Sequence, residues 1–198
     1  MDTGRVEAFS DGVFAIAITL LILNVSLHRS GGTLGHDLLR LWPSYVAYGV
    51  SFLTIGIMWV NHHTIFRHIE RVDRRFLLIN LMLLMLIAFV PFPTRIAAEY
   101  ARSDDSRRAA ALLYGVTLTT TAVFFNSLWL YASRRAGLLA PDADRREVTG
   151  ITRSYIPGAP MYATATVVAF ASSIASLVLF GAIAIFYALS SSLFGRDE

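Results

Sequence analysis

Between short connectors that carry arginines, the chain runs through apolar stretches with no charge at all, and this pattern restricts its fold more than any motif does. Phe76 to Val90 is one such stretch. Only 16% of the 198 residues are charged, against about 25% in soluble domains. A soluble helix keeps a polar face toward water; these segments have none. Uncharged apolar runs of about 20 residues are long enough to cross the roughly 30 Å hydrocarbon core of a bilayer as helices. The expected class is an all-α integral membrane bundle.

Six transmembrane helices can be drawn, at approximately residues 9–27, 41–66, 76–98, 109–132, 155–172 and 174–193. The first ends before the turn-rich Ser30-Gly31-Gly32. Pro43 is tolerated in the first turn of the second, while Pro91 and Pro93 should kink or terminate the third. The polar connector Ser133 to Ser154 follows the fourth. Tyr155 to Leu193 is too long for one straight span and divides most naturally at Ser172-Ser173. The first run resembles a signal peptide only superficially, because it lacks a basic leader and holds Asp11 at its mouth. It is read as a retained helix, and the whole chain, 1–198, as a single transmembrane domain.

Arginine placement sets an expected orientation. With the N-terminus inside, 11 arginines lie on the cytoplasmic side and 6 on the other, which favours both termini in the cytoplasm. All basic residues are arginine and most flank apolar runs, so the net charge of +3 is no sign of a nucleic-acid partner. Cysteine is absent, which removes disulfides, thiolate metal sites and a cysteine nucleophile.

Polar residues inside spans are costly and usually face protein or a water-filled cavity. The first helix opens with Arg5-Val6-Glu7-Ala8-Phe9-Ser10-Asp11. The second carries Trp59, Asn61, His62 and His63 near its inner end, and the third carries Asn80 about one turn in. In an N-inside bundle these groups share one depth, so a cluster joining the first three helices is expected. It reads as a hydrogen-bonded clamp, with a metal site or a proton relay through Asp11 and His62 as the competing readings. Adjacent histidines point roughly 100° apart on a helix, so His62 and His63 do not readily bind one ion, and neither HxxxH nor HExxH occurs. No metal is expected.

On a helical wheel, Phe9, Gly12, Ile16, Thr19, Leu20, Leu23 and Leu27 form one stripe, with Asp11 nearly opposite. Periodicity alone does not say what that stripe faces. Arg5 is not at helical neighbour spacing to Asp11.

The segment Arg5-x-x-x-Phe9-Ser10-Asp11, continued by Gly12-Val13-Phe14-Ala15-Ile16-Ala17-Ile18-Thr19-Leu20-Leu21-Ile22-Leu23, closely resembles the first-helix signature of the transmembrane protein 175 family of potassium channels. Trp59-Val60-Asn61-His62 resembles that family's second-helix motif. Leu78-Ile79-Asn80-Leu81 with Pro91 resembles its third helix. The six-span length is similar to the prokaryotic branch, and the resemblance is specific over the first half of the chain.

This resemblance implies a homotetramer with the first helices around a central pore, six helices from each subunit and potassium as the permeant ion. Ile16, Thr19, Leu20 and Leu23 would line the pore. Ile16 and Leu23 would form apolar constrictions, with the Thr19 hydroxyls between them. Arg5, Phe9, Ser10, Asp11, Trp59, His62 and Asn80 would form a structural and gating network. The resemblance implies no cofactor and a multi-pass location in the cell membrane.

No Thr-Val-Gly-Tyr-Gly segment occurs, so a carbonyl-lined filter is excluded. Apolar rings gate by dewetting, and the expected selectivity is modest, with potassium, rubidium and caesium favoured over sodium. A voltage-sensing arginine helix and a nucleotide-binding motif are both missing. The alternatives are a proton leak or secondary transporter using Asp11 and His62, which would bring broken helices or repeats, and a membrane enzyme. An enzyme needs a nucleophile and base, or a metal set, at recognisable spacing. The sequence offers none.

Overall fold

The computed structural model describes residues 3–26, 33–103, 106–135, 137–141 and 144–194; Leu27 and the Ser30-Gly31-Gly32 turn lie outside them. Among the described residues nearly everything is helical, in keeping with the apolar runs. The order is α1 (Thr3–Leu20), a 3₁₀ turn (Leu21–Asn24), α2 (Leu34–Arg40), α3 (Trp42–Arg67), α4 (Arg74–Phe89), α5 (Pro91–Glu99), α6 (Arg107–Arg134), α7 (Arg145–Tyr155), α8 (Gly158–Val168) and α9 (Ser173–Phe194). Among the described residues four stretches are long and apolar enough to cross a membrane: 3–24, 42–67, 74–99 and 107–134.

The helix ends follow from local chemistry. Asp73 opens α4 by accepting the Phe76 amide at 2.8 Å, a cap that satisfies one of the helix's free first-turn donors. Its second oxygen accepts the Tyr131 hydroxyl at 2.6 Å, which ties the start of α4 to the end of α6. These two donors hold the Asp73 carboxyl below the usual carboxylate range.

Pro91 ends α4 because it has no amide to donate, and α5 continues as the second part of the same candidate span, 74–99. A buried hydroxyl relay secures the junction. Tyr114 donates to Ser51 at 3.0 Å, Ser51 to Thr94 at 2.8 Å, and Thr94 to the Val90 carbonyl at 2.8 Å.

The region expected to hold the fifth span has a different shape. The chain forms amphipathic α7, breaks at Ile156-Pro157, and continues as the 11-residue α8, which accommodates Pro160 in its first turn. At 1.5 Å per residue α8 rises only about 16 Å, roughly half the hydrocarbon thickness. After α8 the chain turns over residues 169–172. The Ser172 hydroxyl accepts the Ala175 amide at 3.2 Å, and the Ser176 hydroxyl donates to the Ala165 carbonyl at 2.7 Å, joining α9 to α8.

α6 is the central post, in contact with α4, α5, α8 and α9. Gly115 permits its close approach to α8 and α9, since a Cβ there would lie 2.5 Å from Thr166 Oγ1 and 2.9 Å from Phe180 Cζ. Thr166 cannot yield easily, because its hydroxyl donates to the Tyr162 carbonyl at 2.7 Å. Gly115→Ala is therefore expected to destabilise the subunit by about 1–2 kcal/mol, overpacking outweighing the better helix propensity of alanine. Thermal unfolding in detergent checks this: an unchanged or raised midpoint would contradict the packing described.

Candidate functional site

α1 is polarised around its axis. Val6, Ser10, Phe14, Ala17 and Leu21 are buried at spacings of four, four, three and four, which is one helical face. They pack against α3 and α4. The other face is largely uncovered by the described residues. Phe9 is 59% exposed, Ile16 61%, Leu20 41% and Leu23 71%, and Gly12 and Thr19 are exposed with them. Apolar side chains repeated along one face of the helix thus wait for lipid, another subunit or a pore. Asp11 is half-buried on the flank between the faces, rather than nearly opposite the stripe as the wheel suggests.

Four sets of contacts fix this helix. Nearest the N-terminus Thr3 Oγ1 donates to the Glu70 carbonyl at 2.9 Å, and His63 Nδ1 lies 2.8 Å from Glu7 Oε1. One turn deeper, Trp59 Nε1 donates to Asp11 Oδ1 at 2.8 Å. Behind it is a buried chain: His62 Nε2 donates to Asn80 Oδ1 at 2.9 Å, Asn80 Nδ2 to Ser10 Oγ at 3.1 Å, and Ser10 Oγ to the Val6 carbonyl at 2.8 Å. Beyond the C-terminal end of α1, in the 3₁₀ turn, Asn24 Nδ2 donates to the Pro91 carbonyl at 2.9 Å.

The buried chain defines a tautomer. Asn80 Oδ1 can only accept, so the His62 proton sits on Nε2. Nδ1 is left buried without a hydrogen-bond partner. Aromatic rings enclose the imidazole, with Phe66 stacked at 4.5 Å and Phe14 tilted at 5.3 Å between centroids.

The clamp expected from sequence is therefore two separate ties. Ser10, His62 and Asn80 form one, and Asp11 and Trp59 the other. Asp11 and His62 do not share a hydrogen bond, and no group of three or more His, Cys, Asp or Glu suited to a metal occurs among the described residues. Arg5 is exposed and makes no hydrogen bond or ion pair among the described residues, and Phe9 belongs to the open stripe. Glu7 and His63 lay in the polar segments read from the sequence but, like Thr3, were not in the expected network. Their only prior signal was a charged residue and a histidine at the same depth.

Thr19 has a particular disposition. Its hydroxyl donates back to the carbonyls of Ala15 and Ile16, both at 2.9 Å. With its proton occupied, the exposed oxygen presents only lone pairs outward. It is a polar acceptor between the apolar residues Ile16 and Leu23.

Comparison with known proteins places these features in a wider set. Residues 5–91 match the family model described as endosomal/lysosomal potassium channel TMEM175. A potassium channel of Streptomyces collinus is 44% identical over 188 residues, covering 94% of this chain and 91% of that protein. The endosomal/lysosomal proton channel TMEM175 of Gallus gallus is 33% identical over 138 residues, covering 65% of this chain but 28% of that protein. The crystal structure of a lysosomal potassium-selective channel TMEM175 homologue from Chamaesiphon minutus superposes with a TM-score of 0.88 at 44% identity, over 96% of this chain and 97% of that one.

Proposed function

The chain belongs to the TMEM175 family, and we propose on that footing that it is a potassium-permeable cation channel built as a homotetramer around α1. The family is one of ion channels, not of enzymes, and no cofactor enters the reading. The observation that carries the proposal is the exposed stripe of α1, held in place by the ties on the helix's other side. Four such stripes facing one axis would place rings of Ile16, Thr19, Leu20 and Leu23 along a pore.

Each ring has its own physical role. Isoleucine and leucine offer an ion no coordination, so a constriction made of them excludes water and gates by dewetting. The cost falls most heavily on the ion that holds its hydration shell most tightly, and sodium is penalised more than potassium, rubidium or caesium. The Thr19 oxygens form the polar station between the apolar rings. The remaining polar network, Arg5, Phe9, Ser10, Asp11, Trp59, His62 and Asn80, would position and gate the helix. The cell membrane, with both termini in the cytoplasm, is the setting that the arginine distribution favours.

The test is reconstitution in liposomes with recording of unitary currents under bi-ionic potassium and sodium. Unitary currents with a reversal potential displaced toward potassium support the proposal; saturable, coupled flux without unitary currents would replace it with a transporter. Thr19→Ala is expected to leave conduction intact and to lower the potassium preference, because it deletes the stripe's acceptor ring. An unchanged reversal potential in this variant would remove Thr19 from the permeation path. The vertebrate relative's name as a proton channel motivates one further arm, a pH gradient across the same liposomes. A pathway through Asp11 and His62 would make proton current sensitive to Asp11→Asn.

A further inference from the structure

The inner rim carries more positive charge than its own carboxylates neutralise. Arginines occur at 67, 71, 74, 75, 134, 135, 145, 146 and 153. Among the described residues none of those from 71 onward has a carboxylate within ion-pair distance. Three of the nearby acids make hydrogen bonds or close contacts with groups other than these guanidiniums. Asp73 serves Phe76 and Tyr131, Asp144 accepts the Arg146 amide at 2.8 Å, and Glu147 lies 3.4 Å from His68. On the opposite rim Arg95 pairs with Glu99 at 2.7 Å, while Arg102 donates to the Arg40 carbonyl and Arg107 to Ser173 and the Ala101 carbonyl.

Part of this positive charge sits beside a shallow depression on one face of α6. Leu130, Tyr131, Arg134 and Arg135 line an open groove of about 330 Å³ at the inner end of α6. Both arginines are exposed. The Tyr131 bond to Asp73 braces the groove wall against α4, and the Asp73 carboxylate, though not hydrogen-bonded to Arg135, offsets part of its charge. Orienting the protein in a bilayer needs arginines near span ends, but it needs no groove.

We propose that this groove binds the headgroup of an anionic phospholipid. The Arg134 and Arg135 guanidiniums take the phosphodiester as forked donors, and Leu130 lies against the glycerol and first acyl carbons. The apolar wall at the end of a span is what selects a lipid over a free anion, since a soluble phosphate gains nothing from Leu130. The basic face of α7 adds attraction at longer range. This inference depends on membrane embedding and not on the pore assignment.

Native mass spectrometry of the detergent-purified full-length protein, titrated with phosphatidylglycerol or phosphatidylcholine, reads the site directly. Phosphatidylglycerol is expected to be retained about tenfold more strongly, the difference that charge-assisted hydrogen bonds supply. R134Q/R135Q should lose that preference, while R145Q/R146Q should keep most of it. Equal retention of the two lipids by the unaltered protein overturns the proposal. So does full phosphatidylglycerol retention by R134Q/R135Q, or an equal loss in both double variants, which would mean diffuse rim charge. Displacement of the lipid by millimolar inorganic phosphate would also overturn it, by identifying a soluble-anion site. If R134Q/R135Q fails to assemble, R134K/R135K takes its place: it keeps the charge but not the fork, and partial loss of the preference is the expected result.

Discussion

Ile16→Asn is expected to raise unitary conductance and to weaken discrimination between potassium and sodium, with little effect on assembly. Ile16 is 61% exposed within its subunit, so the substitution strands no amide in the subunit's core. In the proposed tetramer one substitution places four amides at a single level of the pore. An apolar ring resists wetting because water inside it gives up hydrogen bonds that the wall cannot replace. Four amides restore those bonds. Lowering the barrier by about 1.4 kcal/mol raises flux roughly tenfold. The apolar ring also discriminates by forcing dehydration, so a wetter ring discriminates less.

A packed helix with no pore predicts the opposite pattern. There Ile16→Asn would bury an unpaired amide against a neighbour, at a cost of about 1–3 kcal/mol at each contact, and the oligomer would weaken. Gel filtration beside single-channel recording separates the two outcomes. An assembled Ile16→Asn protein with unaltered conductance and selectivity would remove Ile16 from the pore. Leu23→Asn, one constriction further out, is the companion measurement.

The second large effect is expected in the buried tie behind α1. His62→Ala removes a ring enclosed by Phe14 and Phe66 and leaves Asn80 Oδ1 without its donor. The cavity and the stranded acceptor together should cost about 3–5 kcal/mol. Asn80→Ala strands His62 Nε2, although Ser10 still donates to the Val6 carbonyl, and should cost about 2–3 kcal/mol.

Asp11→Ala should be the mildest, at about 1 kcal/mol. Its partner Trp59 is 43% exposed, so water or a neighbouring subunit can take the indole proton. The predicted order of melting temperatures is Asp11→Ala, then Asn80→Ala, then His62→Ala at the bottom. Normal melting of His62→Ala with conduction abolished would assign the imidazole a role in permeation or proton transfer instead of packing.

The membrane class was legible because hydrophobic runs and charge segregation report directly on solvent. A run such as Phe76 to Val90 has no stable place in water. The motif around Phe9-Ser10-Asp11 likewise marked the helix that carries the open stripe, and its period of three to four placed Ile16, Thr19, Leu20 and Leu23 on one face. Pro91 announced a break in the third span because a missing amide is a property of the residue itself.

What the tertiary structure decided is how those elements meet. Lipid tails and protein core are both apolar, so a helix that is hydrophobic all round does not reveal which face packs and which stays open. Only the fold showed that Val6, Phe14 and Ala17 are covered while Ile16 and Leu23 are not. Depth could gather Ser10, Asp11, Trp59, His62 and Asn80 at one level, but hydrogen bonds depend on direction as well as depth. Side-chain geometry split the group in two and brought in Glu7 and His63 as a further tie. The region from Arg145 to Ser172 shows the same limit: its prolines are visible in the sequence, yet the rim helix and short climb they create depend on how α8 seats against Gly115 of α6. Composition sets which solvent a segment prefers, and the contacts among segments, which are interactions between distant residues, set everything finer.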